Sequence, residues 1–161
     1  EDVPFSLVNN FPNLIISRTF SKAYGLAGLR VGFSVTSSSM ADYLNRVRQP
    51  FNVNSLALAA AEVALNDTEH LEKCLKLNKQ EKERFYKFFE SHQYHFIKSF
   101  ANFISFDCKG SSNKVFNSLL PKGVITRSME IYKMPNHLRV TIGLPEENSV
   151  FMESLTSLNE S

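Results

Sequence analysis

The stretch SRTFSKAYGLAGLRVGF, residues 17–33, places Lys22 after two hydroxyl residues and Arg30 eight positions later, with glycines at 25, 28 and 32. Its two ends are β-favouring runs, Asn13–Thr19 (NLIISRT) and Leu29–Thr36 (LRVGFSVT), which read as strands suited to the interior of a parallel sheet. Between them, Thr19 and Ser21 offer hydroxyls. A short helix following Lys22 would add backbone N–H groups, the donors that a phosphate group prefers. Arg30 supplies a permanently charged planar fork for the same anion. Gly25 and Gly28 suit a tight turn or the close approach of a ligand, and Gly32 suits a strand passing something bulky. Lys22, beside such an anion site, is an amine nucleophile for a carbonyl. These are the parts of a site for a phosphate-bearing aldehyde.

Beyond this stretch, helical and strand-like segments alternate. Ser37–Ser39 cap a helix through MADYLNRVRQ that Pro50 ends, and Asn54 or Ser55 caps a second through LALAAAEVALN, where alanine favours the helix strongly. Thr68–Ser91 reads as one long, partly exposed helix with an apolar stripe of Leu71, Leu75, Phe85, Phe88 and Phe89, interrupted around residues 78–82. Ala101–Cys108 is strand-like. Ser112 caps a helix carrying Val115, Phe116, Leu119 and Leu120, which Lys122 and Gly123 stop. Val124–Arg127 and His137–Ile142 read as strands. Pro145 with Glu146 and Glu147 opens a last helix whose apolar face is Phe151, Leu155 and Leu158. The expectation is an α/β chain of two parts: residues 1–70, too small for a complete doubly wound sheet, and residues 71–161, an α+β unit.

Composition narrows the function. With 161 residues and 43% hydrophobic content the chain can bury a core. Its 18 basic and 16 acidic residues give a net charge of +2, and no basic run suggests a nucleic-acid partner. No apolar run is long enough for a membrane span. Cys74 and Cys108 lie far apart without metal-ligand spacing, which suits thiols in a reducing compartment and a cytoplasmic protein. Glu1-Asp2-Val3-Pro4 lacks an initiator methionine and any signal-like pattern, as if cut from something longer.

The string SRTFSKAYGLAGLRVG resembles the pyridoxal-phosphate attachment segment of the fold-type I aminotransferases, in particular the histidinol-phosphate aminotransferase family. RQPFNVNSLALAAA, ANFISF, GVITR and NHLRVTIGLPEEN are similar to that family's later segments, in order, so the resemblance runs from about Asn13 to the end. It implies a C-terminal portion of the pyridoxal-phosphate-dependent transferase fold, namely part of the large-domain sheet with its helices (1–70) and then the small domain (71–161). The implied cofactor is pyridoxal 5′-phosphate, held covalently by Lys22, with Thr19, Ser21 and Arg30 on its phosphate. Lys22 also matches the residue that carries the proton in catalysis. Arg139 matches an arginine that grips the substrate carboxylate, and Arg127 one near the substrate phosphate. The implied partners are a small-molecule amino donor and a 2-oxo acid, with a homodimer as the assembly.

Two departures stand out against the resemblance. Ser128 follows Arg127 where many relatives carry aspartate, which would loosen that arginine. The family's upstream residues, those that stack on the cofactor ring and pair with its nitrogen, fall outside this sequence, so the isolated chain is expected to be inactive. Within the same fold the alternatives are an aromatic amino acid aminotransferase and a threonine-phosphate decarboxylase. Outside it, the alternative is a non-catalytic interaction module.

Overall fold

Ile15–Thr19 (β1) and Gly32–Thr36 (β2) form a two-stranded antiparallel sheet, in register from Ile15 opposite Thr36 to Thr19 opposite Gly32. The parallel arrangement expected for these strands is therefore corrected. Parallel neighbours need a long crossover, usually a helix, whereas residues 20–31 hold only a 3₁₀ turn at Ala27–Leu29. That turn and the left-handed residue after it also delay the second strand from the expected Leu29 to Gly32. The computed structural model describes residues 4–159, so the reading of the first three residues lies outside it. The chain divides into two compact units, Glu1–Lys73 and Cys74–Ser161.

In the first unit, helix α1 spans Ser38–Val47 and helix α2 spans Ser55–Asn66. The first stops short of Pro50, because Arg48 already adopts an extended backbone, and residues just before a proline are biased away from helix. The second begins where expected: the Asn54 side chain accepts a hydrogen bond from the Ala57 N–H at 2.8 Å, satisfying one of the helix's orphan donors. Ala57 and Ala61 are buried with Phe20 and Val31. The root of the loop between β1 and β2 is thus anchored in this unit's core.

Helix α3, Thr68–Ser91, is continuous through the interruption in its apolar stripe. In the second unit Phe85 and Phe89 of α3 pack with α4 (Ser112–Leu119) and α5 (Pro145–Asn159) in one core. The sheet beside them has the order β3-β4-β6-β5, all antiparallel, with β3 Phe96–Ile97, β4 Phe103–Asp107, β5 Arg127–Ser128 and β6 His137–Thr141. Strand alternation sends Ile104, Phe106, Leu138 and Val140 into that core and leaves Phe103, Ser105, Arg139 and Thr141 on the opposite face. The strand expected at Val124–Arg127 is shorter and later, at Arg127–Ser128. Residues 124–126 lie outside the ladder, with Ile125 exposed. The short β3 had no counterpart in the sequence reading.

The break in the α3 stripe has a physical cause. Glu81 is nearly buried, and its carboxylate accepts from Asn148 Nδ2 at 2.7 Å and Arg84 Nη1 at 3.2 Å. Arg84 also donates to the Pro145 carbonyl at 3.0 Å and to Ser149 Oγ at 2.6 Å. A polar seam thus joins α3 to the start of α5, and pairing is what makes a buried carboxylate tolerable. Asn148 then clamps the backbone after β6: its Oδ1 accepts from the Gly143 N–H at 2.9 Å and its Nδ2 donates to the Gly143 carbonyl at 3.0 Å. The strand carrying Arg139 is held at its far end by this clamp.

Phe89 is fully buried, its ring 4.6 Å from that of Phe106 and 5.7 Å from that of Phe85. Phe89→Ala is expected to destabilise the second unit by about 3–5 kcal/mol, read as a lowered urea midpoint. A change below about 1 kcal/mol would contradict this core assignment.

Candidate active site

The loop of residues 20–31 is closed at its neck by backbone pairing. Thr19 stands opposite Gly32, and the Phe20 N–H donates to the Val31 carbonyl at 3.2 Å. A Cβ on Gly32 would stand 2.7 Å from the Arg18 carbonyl oxygen, so any other residue there would force the backbone to shift. Inside the neck the Leu26 N–H returns to the Phe20 carbonyl at 2.9 Å and the Gly25 N–H to the Lys22 carbonyl at 2.9 Å, with Gly25 left-handed at φ 70°. The short helix expected directly after Lys22 is therefore a turn, because that left-handed glycine breaks it. Gly28 has open space where a Cβ would stand, so nothing within this unit requires glycine at that position.

Four sequence-selected residues sit on this loop and its neck. Thr19 Oγ1 accepts from the Ser21 N–H at 3.1 Å, which leaves its own proton to donate. Ser21 is half-buried, and Lys22 is exposed beyond the buried Phe20. Arg30 is left-handed at φ 54°, and one guanidinium nitrogen donates to the Ala27 carbonyl at 2.7 Å. That backbone costs about 1–2 kcal/mol for a residue bearing a Cβ, strain of the kind that concentrates at functional sites. Two hydroxyls, an amine and a guanidinium on this loop and its neck are donor types suited to a phosphate group with a neighbouring carbonyl.

The second unit carries a separate cationic row. Arg127 on β5 stands directly opposite Arg139 on β6, and Ser105 on β4 stands opposite Arg139 from the other side. Like charges facing each other across a ladder are destabilising, so both guanidinium groups need something to rest on. Arg139 lies over the Phe103 ring, Cζ 4.6 Å from its centre, and Arg127 over the Tyr132 ring at 5.7 Å with Nη2 donating to the Tyr132 hydroxyl at 3.3 Å. Arg139 Nε and Ser105 Oγ are buried without hydrogen-bond partners. An anion on this face would relieve the repulsion.

Phe103, Ser105 and Tyr132 were not singled out from the sequence. The two-residue spacing of Phe103 and Ser105 was legible, but not the strand that would face them. The main-chain carbonyl of Asn102 accepts from the Ile142 N–H at 2.8 Å.

Residues 3–155 match the family model described as aminotransferase class I and II. The chain belongs to that aminotransferase family. It is 51% identical over 154 residues to histidinol-phosphate aminotransferase 2 of Haemophilus influenzae, covering 96% of this chain and 42% of the relative. To histidinol-phosphate aminotransferase 1 of Idiomarina loihiensis it is 49% identical over 151 residues, covering 94% and 41%. The solved histidinol-phosphate aminotransferase of Sinorhizobium meliloti, in complex with pyridoxal-5′-phosphate, superposes with a TM-score of 0.80 at 26% identity, covering 91% of this chain and 42% of that one. This aminotransferase-family chain thus spans less than half the length of the relatives it matches, and its fold is that of pyridoxal-phosphate-dependent enzymes. Among its described residues no helix is long and apolar enough to cross a membrane.

Gly32→Ala is expected to cost the first unit about 1–3 kcal/mol, the range for forcing atoms into a filled space, seen as a lowered midpoint of chemical unfolding. A variant as stable as the parent would show that the neck has slack.

Proposed function

We propose that this chain is part of a pyridoxal-phosphate-dependent aminotransferase that moves an amino group between histidinol phosphate and 2-oxoglutarate, a step of histidine biosynthesis. Residues 1–70 are read as the part that holds the cofactor and residues 71–161 as the small domain that presents the substrate arginines. The observation that carries this reading is the opposed pair Arg127 and Arg139, a costly arrangement that makes sense when an anion sits on it. The names of the relatives point the same way. Their greater length leaves room for further substrate-facing residues outside this chain, and the assembly we propose is a homodimer. The thiols of Cys74 and Cys108 suit a reducing, cytoplasmic setting.

Thr19, Ser21 and Arg30 would hold the cofactor phosphate and Lys22 its aldehyde carbon. When bound, the cofactor supplies an electron sink for the substrate α-carbon. The work of the chain itself is positional and protic. Lys22 Nζ would take the proton from the substrate α-carbon as a general base and, as the resulting acid, give it up at the cofactor's aldehyde carbon instead. Arg139 orients a carboxylate by two parallel N–H donors, a geometry that lysine cannot supply. Arg127 receives the phosphate of the amino donor. Histidinol phosphate has no carboxylate and 2-oxoglutarate has no phosphate, so the two half-reactions load this arginine pair differently.

The test is a steady-state assay on this chain grafted in place of the matching portion of the Haemophilus influenzae relative, with histidinol phosphate, phosphothreonine and phenylalanine as rival donors. Histidinol phosphate should be preferred. Arg127→Ala should raise its KM by about ten- to a hundredfold, since a charge-assisted hydrogen bond is worth about 1.5–3 kcal/mol, and should spare 2-oxoglutarate. Arg139→Ala should damage every carboxylate substrate. Equal damage to both substrates from Arg127→Ala would remove the phosphate assignment.

A further inference from the structure

We infer that Tyr132 is a substrate-binding residue: its hydroxyl and the Arg127 guanidinium form one composite site for a phosphate monoester. The inference rests on the reading that Arg127 receives a phosphate, and it adds a ligand to that site.

The argument starts from hydrogen-bond direction. A guanidinium has only donors, so in the 3.3 Å contact Arg127 Nη2 donates and the Tyr132 oxygen accepts. The phenolic proton is then left over. It sits beside the remaining Arg127 N–H groups, so a neutral donor and a charged one are offered side by side. The ring beneath the guanidinium, 5.7 Å away, draws Arg127 toward Tyr132 and so eases its repulsion from Arg139 opposite. Both groups remain accessible: Arg127 is exposed, and Tyr132 keeps 53% of its surface.

The placement of Tyr132 is built in. It ends the 3₁₀ turn Glu130–Tyr132, whose N–H groups at 132 and 133 return to the carbonyls of Met129 and Glu130 at 2.9 and 2.8 Å. Lys133 closes the turn in the left-handed region at φ 61°. The root of the turn is tied to the core, because Ser128 Oγ bonds Ser112 Oγ at 2.8 Å and Ser112 is fully buried. Ser128 Oγ also accepts from the Glu130 N–H at 3.3 Å. Ser128, expected to loosen Arg127, anchors the turn, and Tyr132 takes a hydrogen bond from the arginine. A donor on a pinned turn loses little freedom on binding, which is what makes an added hydrogen bond effective.

The test is a titration of the 161-residue chain with inorganic phosphate, following the Arg127 Nε–Hε resonance by NMR, assigned by its loss in Arg127→Ala. Observing Arg127 itself separates this site from the loop bearing Arg30, and Arg30→Ala should leave the fitted Kd within about twofold. Tyr132→Phe, which keeps the ring and removes only the hydroxyl, should raise the phosphate Kd by about five- to tenfold, the worth of one hydrogen bond. It should change the Kd for acetate at Arg139 by less than twofold, whereas a merely structural effect would weaken both. If the Arg127 resonance responds to phosphate equally in the parent and in Tyr132→Phe, the inference is overturned and the arginine assignment stands. If the resonance does not respond in the parent, both fall.

Discussion

At position 32 two strands run so close that a side chain would force the backbone to shift, a Cβ standing 2.7 Å from the carbonyl oxygen of Arg18. That contact closes the neck between Thr19 and Gly32, and the loop above it inherits its shape from the closure. With the neck shut, residues 20–31 must double back within a few turns. Gly25 and Arg30 therefore take left-handed backbone, and Phe20 is drawn into the core with Val31, Ala57 and Ala61. Ser21 and Lys22 follow a buried anchor, so they start from a fixed root. The proposed cofactor residues depend on a glycine that touches none of their functional groups.

In the second unit the governing constraint is electrostatic. A sheet that sets Arg127 opposite Arg139 carries a cost unless the charges are separated or neutralised. Phe103 and Tyr132 take one guanidinium each, which separates the charges and leaves the buried Arg139 Nε unmet. An anion on this face would offset the repulsion that remains. Beneath this face, the aromatic core around Phe89 and the Glu81–Asn148 seam hold the sheet and its connecting backbone, so the arginines stand on a rigid base.

Much of this was legible in the sequence, and the parts that were not share a cause. Helix α3 runs from Thr68 to Ser91 as read, because helical periodicity and end signals are local properties. Asn54 caps α2 as read, for the same reason. Strand direction is not local: β1 and β2 look alike in either sense, and only the missing crossover helix makes them antiparallel. The run Val124–Arg127 has strand-like residues, yet only Arg127 joins the ladder, since pairing depends on where β6 lies. The individual residues Lys22, Arg30, Arg127 and Arg139 could be picked out by motif, but the opposition of the two small-domain arginines required the register. Tyr132 carries no signal in the sequence, because its contact with Arg127 exists only once the 3₁₀ turn and left-handed Lys133 are formed.

The central claim is that the loop closed by Gly32 presents Lys22 as the amine that takes the cofactor aldehyde. The most direct measurement uses the same grafted protein, loaded with pyridoxal 5′-phosphate, reduced with borohydride and mapped by peptide mass spectrometry. The account predicts a pyridoxyl adduct on Lys22, lost in Lys22→Ala. An adduct on any other lysine, or cofactor retained with no adduct formed, would contradict it.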